Sequence, residues 1–190
     1  MLKKIKKLIV KILVILVIFF SYPINIHSAP KKGINDKKNT NNISKKPKKN
    51  SVYQIALNKI NKAKKLEKKN KISKANNLYQ EALKNLHYAN KNDPFNPEIL
   101  NYLGFIYQKL DNLSDAEIYY IIGLEMSPKN FKINENLGSL YVKKNEINLA
   151  KKRLEVLRDC RCEEFSRLEK KIIENETQNW LFKLVKLFNY

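Results

Sequence analysis

Glycine and proline are scarce, with 4 and 6 in 190 residues. A β sandwich needs both at its many turns, so this composition argues against one and favours helices. Cysteine occurs only as Cys160 and Cys162, too few for a closed four-ligand metal site. There is no glycine-rich phosphate loop, no H-E-x-x-H and no G-x-S-x-G. Catalysis needs groups converging in a pocket. The acidic pair Glu163–Glu164 and the isolated His87 read instead as solvated helix surface. The sequence is therefore read as that of a non-enzyme, without cofactor or metal.

Acid is scarce too: 18 Asp and Glu stand against 38 Lys and Arg, a formal charge of +20. Of that charge, residues 1–28 carry +5 and residues 29–50 carry +7, leaving +8 for 51–190. More than half therefore lies outside the expected fold. Nucleic acid is not expected as a partner, and the tyrosines at helical spacing read as packing positions. The excess is read as a solvated leader and tail, with attachment to anionic lipid or cell-wall polymer as the rival.

The first 28 residues have a basic start and an apolar run from Ile12 to Phe20, followed by Pro23 and polar residues, the layout of a secretory signal. Lys11 leaves the apolar core short for a membrane span. Cleavage after Ser28 is expected, because a cut after Ala29 would precede Pro30. No cysteine at the junction offers a lipid anchor. The expected location is periplasmic or otherwise exported; an uncleaved leader anchored in the inner membrane is the alternative. Residues 29–50 have almost no apolar side chains, cannot offset the entropy of ordering, and read as a disordered basic linker.

From Ser51 onward apolar residues recur at helical spacing. A shift of 34 residues lays "NYLGFIYQKLDNLSDAE" on "ENLGSLYVKKNEINLAK", so that Leu103, Gly104, Tyr107 and Ala116 fall on Leu137, Gly138, Tyr141 and Ala150. This period and these identities resemble the tetratricopeptide repeat, a helix–turn–helix unit. The resemblance implies an all-α solenoid of about three repeats with a C-terminal capping helix. Full units are expected at 97–130 and 131–164. An earlier degenerate unit at 51–96 aligns through Ala75, Tyr79 and Ala82, with Ala63 and Leu66 on its first helix. Seven extra residues before Pro94 lengthen its second helix by about two turns.

In each unit a small residue on the first helix (Gly104, Gly138) and one on the second (Ala116, Ala150) are expected to let the two backbones approach. Leu100, Leu103, Tyr107 and Tyr120 would fill the seam, and Pro128, lacking an amide hydrogen, would stop the second helix. Residues 165–190 carry apolar stripes and read as the terminal cap that repeat arrays need. The rival is a membrane-surface helix, suggested by Trp180, Lys183 and Lys186.

The chain also resembles a narrower group, small exported bacterial tetratricopeptide proteins, over residues 95–175. "LGFIYQK", "LGSLY" and "CEEFSRL" match its motifs in order, most specifically at Cys162, Glu163, Glu164, Phe165 and Leu168. Its first cysteine position falls on Arg158, whereas this chain has Cys160. In an oxidising compartment Cys160 and Cys162 are expected to pair and fix the turn after the last repeat. So small a ring would be easily reduced, so thiol-redox exchange or metal handling through this pair is the alternative function.

The tetratricopeptide resemblance implies a concave face lined by the first helices. Its positions are Glu98, Asn101, Tyr102, Phe105, Gln108 and Lys109 in one unit, and Lys132, Glu135, Asn136, Ser139, Val142 and Lys143 in the next. The mix suits an extended peptide or a partner helix, giving a protein-binding scaffold. The basic, asparagine-rich clamp of chaperone-tail-binding relatives is not reproduced, since Tyr102 and Asn136 stand at two of its places.

Overall fold

A computed structural model describes residues 51–188, so the leader and the basic linker lie outside the described residues. Seven α-helices run through the described chain: α1 Ser51–Glu67, α2 Ile72–Asn92, α3 Pro97–Lys109, α4 Leu113–Met126, α5 Phe131–Lys143, α6 Ile147–Leu157 and α7 Glu163–Phe188. A 3₁₀ turn, Arg158–Cys160, follows α6. No strand occurs among the described residues.

The helices pair as α1–α2, α3–α4 and α5–α6. Both α3 and α5, and both α4 and α6, begin 34 residues apart. The first pair is offset by 41 at its second helix, because α2 has 21 residues where α4 has 14. Asparagine sets two of the starts at the same interval. The Asn96 side chain accepts from the backbone N–H of Glu98 and Ile99, and that of Asn130 from Ile133. Each cap satisfies amides that a helix N-terminus leaves without partners. Pro97 at the first turn of α3 lacks an amide that would be unpaired there anyway. Ser127 caps α4 and Pro128 follows, exposed, its carbonyl accepting from the Asn134 side chain.

Burial follows the apolar stripes. Ala56, Ile60 and Ala63 of α1 pack with Ala75, Tyr79, Ala82 and Leu86 of α2 and with Ile99, Leu103 and Ile106 of α3. A second cluster joins Ala116, Tyr120 and Leu124 to Ile133, Leu137, Leu140, Tyr141, Ala150 and Leu157, and ends on Leu168 and Ile172 of α7. Helical hairpins recurring at this interval and closed by one further helix make a tetratricopeptide-type solenoid.

The seam differs in detail from expectation. The space beside Gly104 belongs to Tyr120 rather than to Ala116: a Cβ there would lie 2.6 Å from the Tyr120 ring. Beside Gly138, Leu168 of α7 fills the corresponding place, its Cδ2 being the nearest atom to such a Cβ. Each glycine thus accommodates one large side chain. Ala116 and Ala150 are fully buried, but neither is the nearest neighbour of its glycine. Tyr107 is only half-buried, hydrogen-bonded to His87 at 2.9 Å and stacked on Tyr119.

Candidate partner-binding surface

The first helices of successive hairpins lie side by side with α7 next in the row, and polar side chains link each to the next. Between α1 and α3, Tyr53 donates to Glu98 at 3.3 Å, and Lys109 Nζ donates to both Glu67 oxygens at 2.9 Å. Between α3 and α5, Asn136 Nδ2 donates to Asn101 Oδ1 at 2.8 Å, while Lys143 Nζ reaches Asp111 at 2.7 Å. Between α5 and α7, Arg167 grips both Glu135 oxygens at 2.8 Å, and Lys171 Nζ donates to Ser139 Oγ at 2.7 Å.

These contacts divide the twelve expected binding positions. Asn101 and Glu135 are buried between neighbouring helices. Gln108 accepts from the Tyr120 hydroxyl at 3.1 Å, and Val142 packs on the apolar core. Glu98 and Lys143 are exposed, each engaged with the neighbouring unit. Asn136, Ser139 and Lys109 also bond a neighbouring helix, the first two half-buried and the lysine exposed, while Tyr102 and Phe105 are half-buried and Lys132 is exposed. The reason for the split is geometric: a helix flanked on two sides spends part of its inward arc on its neighbours.

The centre of the wall is an aromatic ring under two cations. Lys64 Nζ stands 4.4 Å and Lys109 Nζ 5.7 Å from the Phe105 ring centre, within cation–π range. Phe105 also meets Tyr79 edge-on at 6.0 Å. Lys64 and Lys171 are both water-accessible. Yet loss of hydration pushes the pKa of each below the usual lysine value. Part of each side chain therefore lies against its neighbours while the rest meets water. Neighbouring cations add to the effect: Lys109 and Lys132 on Lys64, and Arg167 and Lys109 on Lys171. Opposing acids are Glu67 for Lys64 and mainly Glu135 for Lys171.

Lys64, Arg167 and Lys171 were not among the residues expected at this surface. Lys64 could have been found, since it stands 41 residues before Phe105 and so occupies the same place in the degenerate unit. Arg167 and Lys171 meet partners 32 residues back in the sequence rather than 34, so the repeat interval does not reach them.

Cys160 and Cys162 form a disulfide with Cα atoms 5.1 Å apart, and Arg161 between them takes the left-handed conformation at φ 48°. Among the described residues no cluster of three His, Cys, Asp or Glu side chains is placed to hold a metal ion. Burial keeps the His87 pKa below the usual value, and its ring faces Tyr107 and Tyr119. No helix among the described residues is long and apolar enough to cross a membrane.

No family model matches the chain, nor does any curated protein. Solved tetratricopeptide domains resemble it. The first such domain of RPAP3 (Spaghetti), bound there to the HSP90 peptide SRMEEVD, is 22% identical, with TM-score 0.42, over 65% of this chain and 94% of that one. The first tetratricopeptide domain of human RPAP3 is 20% identical, with TM-score 0.43, over 65% and 97%. The Arabidopsis OM64 domain is 17% identical, with TM-score 0.43, over 65% and 98%. The fold itself is carried by the chain's own helix spacing.

Proposed function

We propose that this chain is an exported, non-catalytic scaffold that seats an extended segment of a partner protein against its row of first helices. The observation that carries this reading is the water-accessible Lys64–Phe105–Lys109 platform, with Asn136 and Ser139 farther along the same wall. An aromatic face combined with polar groups is suited to main-chain and side-chain contacts of an extended peptide. Export rests on the basic–apolar leader.

The test is crosslinking in cells. Cysteine is placed at Ser139 on the wall, or at Lys84, an exposed site on a second helix, and treated with a bifunctional thiol reagent. A discrete adduct from Ser139→Cys and none from Lys84→Cys is expected; equal labelling, or none, would reject the groove. Fractionation with N-terminal sequencing checks export: a mature start after Ser28 in the periplasm supports it, and intact cytosolic chain sinks it.

A second contact, with the membrane surface, is favoured by Trp180 and Phe182 of α7, which are 57% and 71% exposed. Exposed aromatic residues beside Lys183 and Lys186 suit an anionic headgroup layer.

A further inference from the structure

A furrow of about 600 Å³ runs between α6 and α7, lined on its apolar side by Leu154, Phe165, Ile172 and Ile173. No second helix follows α7 among the described residues to cover it. Ile173 is accordingly 56% exposed, although Ile172 beside it is buried. Phe165, Glu169 and Ile173 share one edge of α7, at steps of four residues. From Ile173 that edge runs on, at alternating steps of three and four residues, through Glu176, Trp180, Lys183 and Leu187. This is the spacing of a helix that packs on another helix. Trp180 and Leu187 are 57% and 73% exposed. Charge divides along the same edge: Glu169 lies in its first half and Lys183 in its second, and no acid follows Glu176 in the sequence.

We infer that two copies of this chain pair through this edge, their α7 helices antiparallel about a two-fold axis near Glu176. Such an axis sets residues equally far on either side of Glu176 opposite one another. Glu169 then faces Lys183 of the second copy, Phe165 meets Leu187, and Ile172 with Ile173 meets Trp180, each contact being made twice. Trp180 and Leu187 of each copy thereby cover the furrow of the other. Glu176, nearest the axis, is already paired with Lys151 at 2.7 Å, so two bare carboxylates do not meet there. A parallel pair would set Glu169 on Glu169 and Lys183 on Lys183, which repel. An anionic bilayer would accept Trp180 but repel Glu169 on the same edge. The second copy is the occupant that satisfies both halves of the edge. Phe182 lies on another edge of the helix and takes no part in the pairing.

The test is sedimentation equilibrium of the full-length protein between about 1 and about 100 μM, where a reversible dimer is expected. Glu169→Lys alone, or Lys183→Glu alone, brings like charges together at two symmetric contacts and should weaken the dimer at least about tenfold. The two reversals combined in one chain should restore the wild-type affinity to within about threefold, because each pair is then opposite in sign again. Both positions are exposed, so the fold should survive, and circular dichroism checks that each variant remains helical. Association through the apolar leader would ignore the reversals. A dimer indifferent to the single reversals, a loss that the double variant does not rescue, or a monomer at every concentration would each overturn the proposal. Flotation with vesicles of anionic phospholipid identifies the rival: a monomeric chain that floats, and stops floating in Trp180→Ser, gives this edge to the membrane and likewise overturns the pairing.

Discussion

Gly104 is held to its residue type by one ring. An added methyl would meet Cδ1 and Cε1 of Tyr120 at 2.6 Å. Tyr120 has no exposed surface, and its hydroxyl is fixed to Gln108. One hairpin earlier Tyr79 makes the corresponding bond to Glu67, but Ala63 stands at the place of Gly104, so that ring is set back far enough to admit a methyl. Alanine at 104 would gain roughly 1 kcal/mol of helix propensity. Forcing the ring aside would cost about 1–3 kcal/mol. The expected net effect of Gly104→Ala is therefore destabilisation by about 1 kcal/mol. Gly123 provides the contrast, because the nearest atom to its added Cβ is Ile133 Cδ1, the far end of a flexible chain, at 2.9 Å. Gly123→Ala should be neutral or slightly stabilising. Urea titrations of both variants measure the difference, and coincident midpoints would refute it. The even spacing of the small residues is readable in the sequence because a helical period dictates it. Their partners are not, since the rotation of one helix against the next selects the side chain that enters the gap.

Each hairpin turns on a residue that sequence inspection passes over. Asn70, Asp111 and Asn145 follow α1, α3 and α5 in the left-handed region, at φ 55°, 65° and 61°. The next residue's amide closes each turn onto the helix just left: Lys71 on Leu66, Asn112 on Tyr107 and Glu146 on Tyr141. Glycine is the usual occupant of such a position, and asparagine and aspartate are the other residues that visit it routinely. With glycine absent from these turns, the signal hides in an asparagine-rich composition. Asn70 is the cleanest to test, because Asp111 and Asn145 also bond Lys143 and Asn179. Asn70→Val should cost about 1–2 kcal/mol through the clash of its Cβ with the backbone, whereas Asn70→Gly should hold or gain slightly. Thermal melting of the pair measures this, and a valine variant melting with the wild type would show that the turn is not restrained. The candidate surface was legible to the same partial degree. Its positions on α3 and α5 follow from the repeat, Lys64 follows once the longer offset is applied, and the α7 contributions depend on a register that the repeat does not set.

The described array has two apolar clusters rather than one, and this shapes how it should open. One spans Ala56 to Ile106 and the other Ala116 to Ile172. In a solenoid each unit is stabilised mainly by its neighbours, so the loss of a terminal contact is felt nearby first. The contact that closes the second cluster is Leu168, fully buried and seated in the space beside Gly138. Leu168→Ala removes most of that side chain and leaves a gap bounded by a residue with no side chain of its own, which points to the upper part of the usual cost of about 2–5 kcal/mol. Ion pairs will not hold α7 in place by themselves. Arg167 still grips the buried Glu135 carboxylate in this variant, which keeps that charge paired but does not refill the apolar gap left by Leu168. Amide hydrogen exchange resolves the consequence by element. Amides of α5, α6 and the first half of α7 should exchange at least about tenfold faster, while those of α1 and α2 keep their wild-type rates. An equal acceleration in every helix would instead show that the two clusters open as one cooperative unit, and would remove the basis for treating the last hairpin as stabilised chiefly by its cap.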